Sequence, residues 1–305
     1  MSSIILLFLC LFIGLIIKSL PNFPKNTHTV LNQFVLFISL PAMALFYLPE
    51  IKLDWNLLFP ASVAYVGFLF AALIFIPLGK YCGWSNKLIG CLLLTAGLGN
   101  TSFVGVPVIQ ALYGDEGVQS LIIVDIPGTV VVLSSFGMLT AIGYSKGKPD
   151  IKTIALKLIQ FPPFIAFLVG LMMLFFDLHF SEEIKIVLGK VMATVSPLAL
   201  VSVGFQLKIE RRSKHWRFLA LGLFYSLIIW PVVCFVIYCL LFNQNGLPIK
   251  VSIMEAAMPP MITGAIVAAQ YGLKPRLANM MIGIGIPVSF LTMAVWYIFL
   301  EWYLA

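Results

Sequence analysis

Residues 97–107, GLGNTSFVGVP, interrupt a segment that otherwise has the character of a membrane helix. The run CLLLTA precedes this stretch and the run VIQALYG follows it. Glycine, proline and small polar residues are poor material for a helix in lipid, where an unpaired backbone group is costly. Non-helical backbone is tolerated at that depth only where protein or a water-filled cavity satisfies it. The stretch therefore predicts a broken helix inside a membrane protein.

The composition indicates a polytopic membrane protein. Hydrophobic residues make up 61% of the chain, charged residues 10%, and the mean hydropathy is +1.05. Soluble domains carry about a quarter charged residues. Because a lipid core requires about 20 apolar residues per helix, the sequence predicts an all-α protein with ten membrane spans. Their expected ranges are 4–20, 30–48, 56–79, 88–113, 117–144, 154–178, 184–207, 216–242, 249–271 and 277–303.

The distribution of basic residues predicts the orientation of these spans. Fifteen of the 19 Lys and Arg residues fall in loops on one side, which the positive-inside rule places in the cytoplasm. Both termini are then outside. The basic run at 208–217 is expected to face anionic headgroups, so no nucleic-acid partner is predicted. The five cysteines and three histidines lack metal-ligand spacing, and no metal site is expected.

The two halves of the chain repeat weakly in the same order. Gly14 aligns with Gly170 and Pro41 with Pro197, both at an offset of 156, and Pro127 aligns with Pro287 at an offset of 160. Five spans per copy is an odd number, so the second copy must cross the membrane in the opposite sense. The prediction is one transporter domain with a 5+5 inverted repeat, residues 1–150 and 151–305, as in many secondary transporters.

The partner of the opening stretch is EAAMPPMITGA, residues 255–265, where Pro259 and Pro260 end a half-helix. Proline also suits the start of the next half-helix, and Thr101 or Ser102 is expected to cap the matching one. Two helix N-termini that meet form an anion site without Lys or Arg. The predicted substrate-binding residues are Asn100, Thr101, Ser102, Asp125, Pro259, Pro260 and Thr263, and the predicted crossover hinge comprises Gly97, Gly99, Gly105 and Pro107.

Two acids lie within predicted spans. Glu255 precedes the proline pair by one turn, and Asp125 lies in the fifth span. Intramembrane acids are functional candidates by default, so both are candidates for ion or proton coupling, with a purely structural carboxyl as the alternative. Asn100 is either a ligand contact, a helix C-cap, or both. Gln110 is expected to form a hydrogen bond between helices.

At these residues the chain resembles the auxin efflux carrier family, whose members include plant auxin exporters and bacterial malate and malonate permeases. The similar stretches are GLGNTSFVGVPVIQALYG, FVLFISLPAMALF and AAMPPMITGAIVAAQYG. Asn100 matches the crossover Asn of the family and Pro107 a proline that follows it. The plant exporters' long central loop is absent, which resembles the compact bacterial form, and Met258 and Pro259 stand where the second crossover would carry an Asn.

The resemblance implies a fold like that of sodium/proton antiporters and bile-acid symporters. It also implies a scaffold of spans 1, 2, 6 and 7, a moving domain of spans 3–5 and 8–10, a homodimer and a location in the bacterial inner membrane. The expected function is elevator-like transport of a small organic anion. Two alternatives stay open, a symporter coupled to Na⁺ or H⁺ and a ligand-binding membrane sensor. No enzyme is expected, because no Ser/His, Asp/Asp or HExxH constellation lies in the spans, and no cofactor is expected beyond a coupling ion.

Overall fold

The computed structural model describes residues 2–51, 55–145, 160–207 and 215–304, and within them every regular element is a helix. The predicted loop lysines at 146–157, the start of the sixth span, the boundary between the two repeats and most of the basic run at 208–217 lie outside the described residues. The helices are α1 Ser2–Lys18, α2 Thr27–Glu50, α3 Trp55–Tyr81, α4 Asn86–Ala96, α5 Thr101–Tyr144, α6 Pro162–Phe175, α7 Glu182–Gln206, α8 Trp216–Leu241, α9 Leu247–Ala256, α10 Ile262–Gln270 and α11 Pro275–Tyr303.

Six of these helices are long and apolar enough to cross a membrane, namely α2, α3, α5, α7, α8 and α11. The prediction of an all-helical membrane protein is confirmed to that extent. Helix α5 spans 44 residues but bends sharply at Gly114, whose φ of 64° and ψ of −157° are not helical. A side chain is strained at such a φ, so glycine is the residue suited to the bend. The bend divides α5 into two apolar stretches.

Helices α1, α2, α6 and α7 pack together as one group. Glycines allow the closest approaches: a Cβ on Gly14 of α1 would lie 2.2 Å from the carbonyl oxygen of Val201 in α7, and one on Gly170 of α6 would lie 2.9 Å from Leu48 Cβ in α2. The hydroxyls of Ser39 and Thr194 lie 2.7 Å apart, joining α2 to α7. We call α1, α2, α6 and α7 the first helix group.

The other helices form a second group around α9 and the bent α5. Trp230 of α8 is fully buried; its ring lies against Gly67 of α3, and its Nε1–H donates to the carbonyl of Val63 at 3.2 Å. The hydroxyl of Tyr225, also on α8, donates to the carbonyl of Gly67 at 2.5 Å. These bonds fix α8 on α3, and α9 packs against both.

Candidate functional site

The two predicted interruptions lie side by side and satisfy each other's backbone. Helix α4 ends at Ala96 and α9 at Ala256, and between the following extended segments Gly99 and Pro260 form an antiparallel bridge. The Asn100 N–H donates to the Pro259 carbonyl at 2.8 Å, and the Met261 N–H donates to the Leu98 carbonyl at 3.0 Å. Backbone groups that neither helix could pair are therefore paired across the crossing, as a buried backbone requires.

The prolines end the helix α9 but do not begin α10. Met261 is the residue that precedes the first turn of α10, which starts at Ile262. The expectation that a proline starts this half-helix is therefore wrong: both prolines lie in the extended bridge, where proline's fixed φ fits and its missing N–H is harmless. The α10 N-terminus has no side-chain cap within the described part of the chain.

Asn100, rather than Thr101 or Ser102, caps the half-helix that begins α5. Its Oδ1 accepts a hydrogen bond from the Phe103 N–H at 3.2 Å, so the prediction of a Thr or Ser cap is wrong, and so is the alternative of a C-cap. Asn is among the preferred residues at this position. The side chain is 1% exposed, and its Nδ2 has no hydrogen-bond partner in the described residues. The amide oxygen thus stabilises the start of α5, while the amide nitrogen presents free N–H donors.

The hydroxyls of Thr101 and Ser102 bind Asp125 instead. Thr101 Oγ1 donates to Asp125 Oδ1 at 2.5 Å, and Ser102 Oγ lies 2.7 Å and 2.8 Å from the two carboxylate oxygens. Asp125 is 1% exposed. This carboxylate ties the start of α5 to its later part, beyond the bend at Gly114. The arrangement fixes the crossing in place.

Glu255 is fully buried, one residue before the end of α9. Neither of its carboxyl oxygens has a hydrogen-bond partner among the described residues. The carboxyl lies against Gly105, where an added Cβ would come within 2.5 Å of Oε1 and 2.6 Å of Oε2. The predicted hinge glycine is therefore the residue that makes room for the predicted coupling acid.

A cavity of about 210 Å³ lies beside the crossing. Its polar lining consists of Asn100, Ser102, Ser134 and Thr263, and the rest is apolar. No Lys or Arg lines it among the described residues. Such a cavity, largely apolar with a few polar groups at one place, is typical of a small-molecule site.

The cavity extends from the crossing toward one end of the bundle, which we call the cavity end. Phe161, just before α6, and Met138, near the end of α5, line its far part. Tyr144 and Leu273 both contact Gly90, so the ends of α5 and α10 meet at this same end.

At the opposite end, hydrogen bonds join the two helix groups. The Tyr47 hydroxyl of α2 donates to Asp115 Oδ1 at 3.0 Å, directly after the bend in α5. Ser196 of α7 donates to Gln110 Oε1 at 2.8 Å. The predicted interhelical role of Gln110 is confirmed. The Tyr47–Asp115 pair was not predicted.

The crossing gathers most of the predicted residues. Asn100, Thr101, Ser102 and Asp125 are mutually in contact or adjacent, and Thr263 shares the cavity with Asn100. Gly97 directly follows α4, where a Cβ would meet the Leu93 carbonyl at 2.6 Å, and Pro107 lies in the first turn of the α-helical part of α5. No cluster of three metal-ligating side chains occurs in the described residues.

Apolar helices, a pair of broken helices that cross and a cavity beside the crossing define an integral membrane transporter, and comparison with known proteins agrees. Residues 1–297 match the family described as membrane transport protein. The chain therefore belongs to this family, the one that the resemblance to auxin efflux carriers indicated.

Two archaeal proteins are similar over nearly their whole length. An uncharacterized transporter of Methanocaldococcus jannaschii is 26% identical over 306 residues, which cover 97% of each chain. An uncharacterized transporter of Methanothermobacter thermautotrophicus is 26% identical over 302 residues, covering 97% of this chain and 96% of the relative.

Proposed function

We propose that the protein is a secondary transporter that carries a small organic anion, a carboxylate such as malate, malonate or an auxin-like acid, by alternating access. Membership of the membrane transport protein family supports transport. The observation that supports an anionic substrate is the structure of the crossing. There the buried Asn100 amide reaches a cavity between two helix N-termini. Free N–H groups and the positive ends of helix dipoles bind anions without a cationic side chain.

The second element of the proposal is a ten-span, 5+5 inverted repeat. The fourth span is α4 with the part of α5 before Gly114, the fifth is the remainder of α5, and the ninth is α9 with α10. Three contacts support the repeat. Gly14 of the first span packs on the seventh, and its equivalent Gly170 of the sixth packs on the second. Ser39 and Thr194, nearly equivalent positions, bond to each other.

The first helix group corresponds to the proposed scaffold, spans 1, 2, 6 and 7. The second group corresponds to the moving domain, spans 3–5 and 8–10, and carries the crossing. An elevator-like displacement of the second group past the first would carry a bound anion across the membrane. The cavity at one end and the hydrogen bonds of Tyr47 and Ser196 toward the other support a conformation that is open to one side.

The proposed function also includes an orientation in the membrane, a cellular location and an oligomeric state. The excess of basic residues supports termini outside, with the cavity end in the cytoplasm. A bacterial inner membrane and a homodimer through the scaffold are carried over from the resemblance to the auxin efflux carriers.

Counterflow in proteoliposomes tests this function. Vesicles loaded with unlabelled malate, malonate or indole-3-acetate are diluted into the same radiolabelled acid, and transient accumulation of label is measured. We expect counterflow with at least one acid, and its loss in Asn100→Ala. A ligand-binding sensor would bind an acid and stabilise the protein thermally without counterflow, which would overturn the proposal.

A second candidate is a cation-coupled symporter of the same acids. The observation that favours it is a fully buried carboxyl at the crossing, Glu255, beside a second one, Asp125. Acids within a membrane mark ion or proton paths. Uptake that collapses without a Na⁺ or H⁺ gradient distinguishes a symporter from an exchanger.

A further inference from the structure

The two buried carboxyls at the crossing have opposite surroundings. Asp125 receives hydroxyl hydrogen bonds from Thr101 and Ser102, the latter reaching both of its oxygens. Hydroxyl donors aimed at both oxygens offset part of the cost of burying an ionised carboxylate. Asp125 is therefore suited to be a positioning residue that holds the start of α5.

Glu255 lacks this support. Both of its oxygens are buried, and neither has a donor or cation within reach in the described part of the chain. An isolated ionised carboxylate in such a place costs many kcal/mol. The carboxyl is stable there only in its neutral form, with a proton on one oxygen.

The groups around Glu255 favour that neutral form. Helices α3, α5, α8 and α11 pack against α9, and of their titratable groups Asp125 is the one that acts on Glu255, with a charge of the same sign. Lys250, on the same helix as Glu255, is engaged by Glu301 at 2.9 Å. Cys234 and Tyr238 on α8 are neutral at physiological pH, and the Tyr238 hydroxyl is bonded to Ser62 at 2.8 Å.

Glu255 is also placed to sense the proposed anion. Its helix ends in the extended segment whose Pro259 carbonyl accepts from Asn100, and its carboxyl touches Gly105 in the half-helix that Asn100 caps. A negative guest beside Asn100 and a negative Glu255 would repel each other in a medium of low dielectric constant. Binding of the anion and binding of the proton therefore favour each other by the same factor, since linkage is reciprocal.

We propose that Glu255 is the exchangeable proton site of this transporter, that Asp125 is a positioning residue, and that one proton crosses with each anionic charge held at Asn100. This inference rests on the proposed transport function. A proton from water on one side bonds to a Glu255 oxygen, travels with the moving domain and returns to water on the other side. No redox partner is needed, and the transported anion and proton together carry no net charge.

The test compares wild type with Glu255→Gln and Asp125→Asn, and uses Glu182→Gln as control, since Glu182 is an exposed acid far from the crossing. Proteoliposomes receive an imposed pH gradient, acid outside, at zero membrane potential. One-to-one symport of a monovalent acid such as indole-3-acetate predicts about tenfold accumulation per pH unit, reached faster than the passive entry of the neutral acid into protein-free liposomes, which is subtracted. We expect this accumulation in wild type and Glu182→Gln, and its loss in Glu255→Gln with counterflow retained.

Infrared spectroscopy of the purified protein reports the proton directly. We expect a protonated carboxylic acid band that is present in wild type and Asp125→Asn and absent in Glu255→Gln. Accumulation that follows the pH gradient in Glu255→Gln, accumulation that follows a Na⁺ gradient instead, or a band lost with Asp125→Asn would each overturn the inference. If no acid gives counterflow even in wild type, the transport proposal fails, while the band still decides whether Glu255 holds a proton.

Discussion

The carboxyl group of Glu255 lies directly against the backbone of Gly105, at a place where any side chain would occupy the same space. A Cβ there would approach both carboxyl oxygens within 2.6 Å. Gly105 belongs to the half-helix that starts α5 and Glu255 to α9, so this contact joins the two broken spans beyond their backbone bridge.

Gly105→Ala is expected to destabilise the crossing. Overpacking a buried site costs about 1–3 kcal/mol. The neighbour here is the carboxyl group of Glu255, which is fully buried and cannot move into solvent. We expect a lower melting temperature in detergent and impaired counterflow. The matched control is Gly143→Ala, also in α5, where a Cβ meets nothing within 4 Å. That control should be neutral or slightly stabilising. Equal melting temperatures for the two variants would contradict the contact.

Asn100 has two separable tasks, and two substitutions separate them. Asn100→Ala removes both the cap of Phe103 and the free amide, whereas Asn100→Ser keeps a capping oxygen. We expect Ala to lower stability by about 1 kcal/mol and Ser to restore most of it. Because a hydrogen bond to a charged group contributes about 1.5–3 kcal/mol, both variants should weaken anion binding by about 10- to 100-fold.

Thermal unfolding and isothermal titration with the acid that gives counterflow check this pair of variants. If the Ser variant binds as tightly as wild type, the amide is a cap only. The anion would then be held by backbone groups alone.

The Tyr47–Asp115 hydrogen bond is expected to favour the conformation that is open at the cavity end. It joins the first helix group to the second near the opposite end, and its loss in Tyr47→Phe removes about 1 kcal/mol from that state alone. The population open at the opposite end should rise about fivefold. Tyr65→Phe is the control, because Tyr65 donates to the Pro127 carbonyl within the second group.

Ser196 is buried between the two helix groups, on the side of the crossing away from the cavity. A cysteine introduced at this position reports the change in population through its labelling rate. In a Cys82→Ser background, Tyr47→Phe should raise the maleimide labelling rate of Ser196→Cys about fivefold. The same increase in Tyr65→Phe would show that the loss of any tyrosine hydrogen bond loosens the bundle, and would contradict a specific role for the Tyr47–Asp115 bond.

The sequence predicts the positions of both helix breaks because glycine and proline act locally, through φ restrictions and missing N–H groups. It does not predict the hydrogen-bond partners at the breaks. Asn100, Thr101 and Ser102 are all competent caps, and the choice among them depends on Asp125, which the bend at Gly114 brings back to the crossing. The Tyr47–Asp115 bond likewise depends on how two helices pack, for which the local pattern carries no signal.

Cysteine chemistry provides a test of the orientation in the membrane. Of the five cysteines, which are all free thiols in the described residues, Cys82 is exposed and the other four are buried. Cys82 follows α3 in the short turn before α4, at the end of the bundle where Tyr144 contacts Gly90. The excess of basic residues predicts that this end is cytoplasmic. The native chain therefore carries a single accessible thiol at the end whose location is in question.

A membrane-impermeant maleimide should leave Cys82 unlabelled in intact cells and label it in inverted membrane vesicles, while a permeant maleimide labels it in both. Labelling of one thiol per chain, lost in Cys82→Ser, establishes that the signal comes from this position. Labelling in intact cells by the impermeant reagent would reverse the proposed topology. The cavity would then open to the outside, and the proton on Glu255 would be exchanged from that side.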